Sequence, residues 1–246
     1  MALGNGGWML PGSTNIDRMG SSVAGLGDVN GDGIDDVVIG SRQSDSPTRS
    51  NNGEAFVVFG RTGAGGILAK STLSNGTGGF VIRGQANNDQ LGDAVTRAGD
   101  VNDDGLNDII VGLPRGNANG NNSGGAAVVF GKSSGTVVEV STLTNGVGGW
   151  VAFGVAAGDL AGTAVSGGQD VNGDGGADVV VGANLGDKVG VGPINNTGAA
   201  YVLFDSTRNS ALQLSTINAG TGNGFSIFGA VANENSGIAV SLTGDM

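Results

Sequence analysis

The 246-residue chain has 11 Lys or Arg against 22 Asp or Glu, a formal net charge of −11, which speaks against a nucleic-acid partner. With no Cys and no His it has no disulfide framework, no thiolate or imidazole zinc centre, and no Ser-His or Cys-His nucleophile pair. No apolar run reaches membrane-spanning length, and the opening MALGNGGWML lacks the basic start and apolar stretch of a secretory signal.

The hydrophobic residues, 38% of the chain, fall in short Val, Ile, Ala and Phe runs, with 51 Gly among the residues that separate them. Short β-branched runs bounded by Gly, Asn, Asp and Ser predict strands and turns. In chain order come an aromatic segment at Trp8, an acid at Asp17, a strand, the polar stretch GDVNGDGIDD (27–36), a second strand, and a third ending at Phe59. The series then starts again. The second copy reads GFVIRG (79–84), DQLGDAV (89–95), an acidic loop, DIIVGL (108–113) and GAAVVFG (125–131).

Four landmarks share one period. Asp28, Asp100 and Asp170 are 72 and 70 residues apart, and Phe59, Phe130 and Phe204 are 71 and 74 apart. Trp8, Phe80, Trp150 and Phe225 step by 72, 70 and 75, as do Asp17, Asp89, Asp159 and Glu234. Four strands per 70-residue unit predict an all-β fold of β-propeller blades, each of four antiparallel strands. The single segment 1–246 divides into units 13–83, 84–154 and 155–229 with a partial unit 230–246. That gives about three blades plus single flanking strands, the last being GIAVSLTGDM (237–246), with Asp245 where a fourth loop would start. Three blades do not close a ring, so the expectation is an incomplete propeller, an arc of something longer, with open edges that invite self-association.

The acidic loop repeats with its spacing intact. Counting from its first Asp, side-chain oxygens fall at positions 1, 3, 5 and 9, and position 7 offers a backbone carbonyl. The predicted ligands are Asp28, Asn30, Asp32, Ile34 and Asp36; Asp100, Asn102, Asp104, Leu106 and Asp108; and Asp170, Asn172, Asp174, Gly176 and Asp178. Hard oxygen donors on a flexible loop suit Ca2+ better than the tight octahedron of Mg2+. An EF-hand fails, because position 12 is Ile39, Val111 or Val181 rather than Glu and the flanks are strands. Isolated Asx-rich turns give the same residues without a metal, but three copies with every oxygen kept favour calcium, at about three sites.

The Asp-x-Asn-x-Asp-Gly-x-x-Asp loop between two strands, followed by Phe-Gly, resembles the FG-GAP repeat of integrin alpha-subunit propellers and their bacterial relatives. SVAGLGDVNGDGIDDVVIG (22–40) carries the likeness most clearly. Phe204-Asp205 in place of Phe-Gly departs from it, as does the Gly-Ala-Pro part, reduced to GSR, GLP and GAN. The resemblance implies that the loop joins the first two strands of a blade. It also implies that the segments at Trp8, Phe80, Trp150 and Phe225 are outermost strands of the preceding blade. It further implies an extracellular or cell-surface module for adhesion or protein recognition, with calcium in a structural role.

A lectin-like, carbohydrate-binding propeller and a self-assembling surface-fibre subunit are the alternatives. With 4% aromatics, sugar-stacking platforms are scarce, and Trp8, Phe80, Trp150 and Phe225 read as packing between blades. Asp17, Asp89, Asp159 and Glu234 read as turn caps rather than a channel-facing surface. No catalytic residue is predicted and the chain is not expected to be an enzyme, since every motif carboxylate is explained by the ion. The partner expected is a protein or glycan, with no nucleic acid and no insertion into a membrane.

Overall fold

The structure, a computed structural model, describes residues 7–12, 16–63, 65–188, 194–204, 210–217 and 222–243. Asp205 and Asp245 lie outside the described residues.

In chain order the elements are β1 (Trp8–Met9), β2 (Met19–Gly27), β3 (Asp36–Ser41), β4 (Glu54–Val58), β5 (Gly66–Ile67), α1 (Lys70–Ser74) and β6 (Gly79–Arg83). Next come β7 (Val95–Gly99), β8 (Asp108–Gly112), β9 (Gly125–Val129), β10 (Val138–Glu139), a 3-10 turn at Val140–Asn145 and β11 (Gly149–Phe153). The last group is β12 (Ala161–Gln169), β13 (Asp178–Ala183), β14 (Ala199–Leu203), β15 (Leu212–Gln213), a 3-10 turn at Leu214–Thr216 and β16 (Gly224–Phe228).

Three antiparallel four-stranded blades result: β2-β3-β4-β6, β7-β8-β9-β11 and β12-β13-β14-β16. Each inner strand ends in an irregular step of register, Gly25/Gly27, Arg97/Gly99 and Gly167/Gln169, just before the acidic loop. Phe80, Trp150 and Phe225 sit on the outermost strands β6, β11 and β16, as the resemblance implied.

The middle and outer strands alternate apolar side chains between the two faces of a sheet that is covered on both sides. Val38, Val57, Phe80 and Ile82 of the first blade pack against Ile109, Val111, Val129 and Val151 of the second. Ile110, Val128 and Trp150 on the other face of the second blade pack against Val179, Val181, Tyr201 and Leu203 of the third. Burying one such side chain fully contributes about 1.5–3 kcal/mol, so the seams between blades are the main source of cohesion. The two outer faces are open by comparison. Val37 is 44% exposed where its counterparts Ile109 and Val179 are 0% and 1%. Ile227 is 55% exposed where Ile82 and Ala152 are 0%.

Two features differ from the sequence reading. First, a blade carries a fifth, parallel strand lent by the next unit: β10 pairs with β6, β15 with β11, and β5 with the short N-terminal β1. The segment after each lent strand folds into a helical turn; Leu73 and Leu143 within the first two turns and Ile217 just after the third are buried. Second, the expected final strand does not form over the described residues 237–243. A strand is held by a ladder; among the described residues that segment is tied instead by a bridge at Ser236, a turn bond from Ile238 N–H to the Asn235 carbonyl and a bond from Leu242 N–H to Ser166 Oγ.

Candidate metal centre

Each acidic loop links the first strand of a blade to the second: β2 to β3, β7 to β8, β12 to β13. All three loops fold around their first Asp. Asp28 accepts N–H bonds from Asn30, Gly31 and Gly33 at 3.1, 2.7 and 2.8 Å. Asp100 accepts from Asp104 and Gly105, and Asp170 from Gly173 and Gly175. The position-6 glycines Gly33, Gly105 and Gly175 have φ of 82°, 88° and 95°, a left-handed turn that a side chain would strain. Inside the loops, the Asn30, Asn102 and Asn172 amides donate to Asp32, Asp104 and Asp174 at 3.1, 3.0 and 2.8 Å.

The ninth position behaves differently. Asp36, Asp108 and Asp178 are buried. One oxygen of each accepts the N–H of Val29, Val101 or Val171, at 2.8, 2.8 and 2.6 Å, and so pins the start of the loop. The other oxygen of Asp36 and of Asp108 accepts the N–H of Gly60 or Gly131, at 2.7 Å in both. Those glycines follow Phe59 and Phe130 at the end of the third strand. The Phe-Gly pair therefore has a mechanical meaning: its amide closes the acidic loop from the neighbouring strand. A Cβ on Gly131 would stand 2.7 Å from the Asn107 carbonyl oxygen, so the close approach requires glycine.

The electrostatics follow. Backbone N–H groups, that of Gly33 or Gly175 foremost, hold the Asp28 and Asp170 carboxyls below the usual range. Burial pushes Asp36 up and Asp108 up to about 7, and the neighbouring Asp32 and Asp28, or Asp104 and Asp100, add to the shift. A loop that shields one carboxylate from water beside two others is short of positive charge.

The donor set fits a hard divalent cation. All the side-chain donors are oxygens, and a carboxylate oxygen engaged by one N–H keeps a second lone pair. Ca2+ would be held by Asp28, Asn30, Asp32, Ile34 and Asp36 and by the two corresponding sets, and would supply the missing positive charge. Among the described residues no three acidic side chains stand together in the arrangement of a formed metal site. The Asp-to-backbone bonds give the loops their shape.

Sequence reasoning missed Gly60, Gly131 and the position-2 valines as partners of the ninth Asp. The Phe-Gly landmark was the available signal for the glycines. Three of the four repeated acids, Asp89, Asp159 and Glu234, cap turns. Asp89 accepts the N–H of Ala86 at 2.7 Å and Asp159 that of Ala156 at 2.9 Å, while Glu234 accepts those of Ala230 and Val231. Burial raises Asp89 and Asp159 to about 6. Phe80 and Trp150 are buried between blades, and Trp8 lies beneath the Arg61 guanidinium, 3.6 Å from the ring centre.

Side-by-side four-stranded blades, each with an acidic loop between its first two strands, define a propeller-type repeat protein. The chain carries FG-GAP repeats: the model described as FG-GAP repeat matches residues 19–58 and 161–203, in the first and third blades. It is similar to Integrin alpha pat-2 of Caenorhabditis briggsae, 30% identical over 188 residues, 70% of this chain and 14% of that protein. It is similar too to Integrin alpha pat-2 of Caenorhabditis elegans, 30% identical over 179 residues, 67% of this chain and 13% of that protein. The chain thus spans about one seventh of the length of these relatives.

Proposed function

We propose that the chain is a recognition module of the integrin alpha type, displayed outside the cell or at its surface, that binds a protein or glycan ligand for adhesion. The observation that carries this is the threefold acidic loop, set in the same place in every blade of a chain with FG-GAP repeats. Calcium acts structurally in this reading. It neutralises the carboxylates carried by each loop, and it fixes the turn between the first two strands. Extracellular calcium is abundant enough for sites of modest affinity.

The protein-ligand reading is favoured over the lectin reading because Phe80 and Trp150 are spent on packing between blades and Trp8 lies under Arg61. A glycan array with a calcium-saturated sample separates the two. No catalytic role is assigned, as each carboxylate at ligand positions 1, 5 and 9 of the loops has a partner that accounts for it. The open outer faces supply a surface on which copies would associate, which is the fibre alternative. Native mass spectrometry of the calcium-saturated protein reads ion count and copy number together. Three ions per chain support the structural role. Unfolding followed with and without chelator tests it again: each site at a hundredfold excess over its Kd adds about 2.7 kcal/mol. A melting temperature unmoved by chelation overturns it.

A further inference from the structure

The three acidic loops are not equally spaced in contact. Loop 2 reaches back and touches loop 1. The Asn107 N–H donates to the Asp28 carbonyl at 3.0 Å, and the Asn107 side-chain amide lies 3.4 Å from the same oxygen. Leu106 covers Gly31: a Cβ there would meet Leu106 Cδ2 at 3.4 Å. The residues concerned occupy positions 7 and 8 of loop 2 and positions 1 and 4 of loop 1.

Loop 3 has no such arm. Its positions 7 and 8 are Gly176 and Ala177, which have neither the leucine side chain nor the amide. No bond from the Ala177 N–H to loop 2 accompanies them among the described residues. Between loops 2 and 3 lies instead a groove of about 400 Å³ lined by Arg97, Asp100, Asp103, Asn107 and Asp170 among others. Loops 1 and 2 share a peptide-to-peptide bond, while among the described residues loop 3 meets loop 2 only by packing: the Ala177 Cβ lies 2.6 Å from where a Cβ on Gly99 would stand.

We infer that loops 1 and 2 form a coupled pair of cation sites, with Asn107 as the positioning residue between them, and that loop 3 binds its ion independently. The inference rests on the calcium reading above. Asp28 is both the first ligand of site 1 and the residue whose carbonyl is held from loop 2. Fixing the turn at 106–107 when site 2 fills therefore fixes the backbone from which the Asp28 carboxylate projects. Ordering that is completed by one ion need not be repeated for the next, which is positive coupling, and by linkage it is mutual. The coupling is directional in space, running across the first seam between blades and stopping at the second.

The test follows each site separately in ¹⁵N-labelled protein, through the amide signals of Gly33, Gly105 and Gly175, during titration with CaCl2. Asp104→Ala disables site 2 and Asp174→Ala disables site 3, both at exposed loop positions. The expected result is that Asp104→Ala weakens calcium binding at Gly33 by about fivefold or more. Asp174→Ala should leave it within about twofold. Asn107→Ala, with all three ligand sets intact, should shrink the coupling and speed amide exchange at Gly31 and Gly33 in metal-free buffer. If all three glycines titrate but site 1 is indifferent to Asp104→Ala, the coupling is overturned and the calcium reading stands. If none of the three responds in the wild-type chain, both are overturned. If Asp174→Ala weakens site 1 as much as Asp104→Ala does, the paired arrangement is wrong.

Discussion

Glu54 is a fully buried carboxylate at the start of β4, and its substitution gives a sharp test of how this fold handles charge. It accepts bonds from Ser44 Oγ at 2.6 Å and Arg83 Nε at 3.0 Å and pairs with Lys70 Nζ at 2.5 Å. The strand register places Glu54 opposite Arg83. The same pair of positions holds Gly125 and Phe153 in the second blade, and Ala199 and Phe228 in the third. An ion cluster thus replaces apolar packing in one blade of three. Removing one member of a buried pair typically destabilises by about 3–5 kcal/mol, because the partner is left charged and unpaired. Here the loss is smaller, since Arg83 keeps Glu139 at 3.4 Å and the Lys70 side chain is 21% exposed. We expect about 2–3 kcal/mol for Glu54→Gln, read as a lower urea midpoint at unchanged m-value and nearly insensitive to salt. The triple change Glu54→Ala, Lys70→Val, Arg83→Phe imports the apolar solution of the other blades and should fall within about 1 kcal/mol of wild type. A Glu54→Gln midpoint within about 0.5 kcal/mol of wild type, or a triple variant less stable than the single one, refutes the reasoning.

The chelated protein should lose stability as pH rises from 4 to 7. Asp89 and Asp159 have folded-state values of about 6 against 3.8, so the native state holds more protons than the unfolded chain in that window. Each group accounts for about 3 kcal/mol by the time both states are ionised; Asp89→Asn should flatten the urea-midpoint profile, and an unchanged slope counts against it. Asp108→Asn should lower stability even in chelator, by about 1–3 kcal/mol, since an amide cannot accept at both ends of the Val101 and Gly131 clasp. Asn102→Ala should cost less than that without calcium, and equal losses refute the clasp. Gly131→Ala should destabilise by roughly 1–3 kcal/mol through its clash with the Asn107 carbonyl, and a thermal shift near zero would show that the seam yields.

The strands and loops were legible in the sequence because their signals are local. Short β-branched runs bounded by Gly and Asp, as in DIIVGL and GAAVVFG, mark strands without reference to the rest of the chain. The Asp, Asn and Gly spacing writes out its own turn, and the structure folds 28–36, 100–108 and 170–178 around their first Asp accordingly. What the sequence hid was of two kinds. The lent strands β5, β10 and β15 are two residues each, too short for any periodicity, and a partner in another unit defines them. Ser71-Thr72-Leu73, Ser141-Thr142-Leu143 and Ser215-Thr216-Ile217 were a repeat that could have flagged the turns beside them. The clasp on the ninth Asp was hidden because backbone N–H groups leave no residue-type signature. The reading of a strand failed over 237–243 for the opposite reason: the apolar pattern there is strand-like, but no ladder lies beside these residues.

The lent strands also set a timetable. The first blade has its own four strands once Arg83 has been made, yet the strand that covers its outer edge is Val138–Glu139. The second is complete at Phe153 and is covered by Leu212–Gln213. During synthesis each of these two blades therefore stands with a bare edge while roughly 55 to 60 further residues are added. At about 5–20 residues per second that is on the order of 3–12 s, long enough for a neighbouring nascent chain to offer its own strand first.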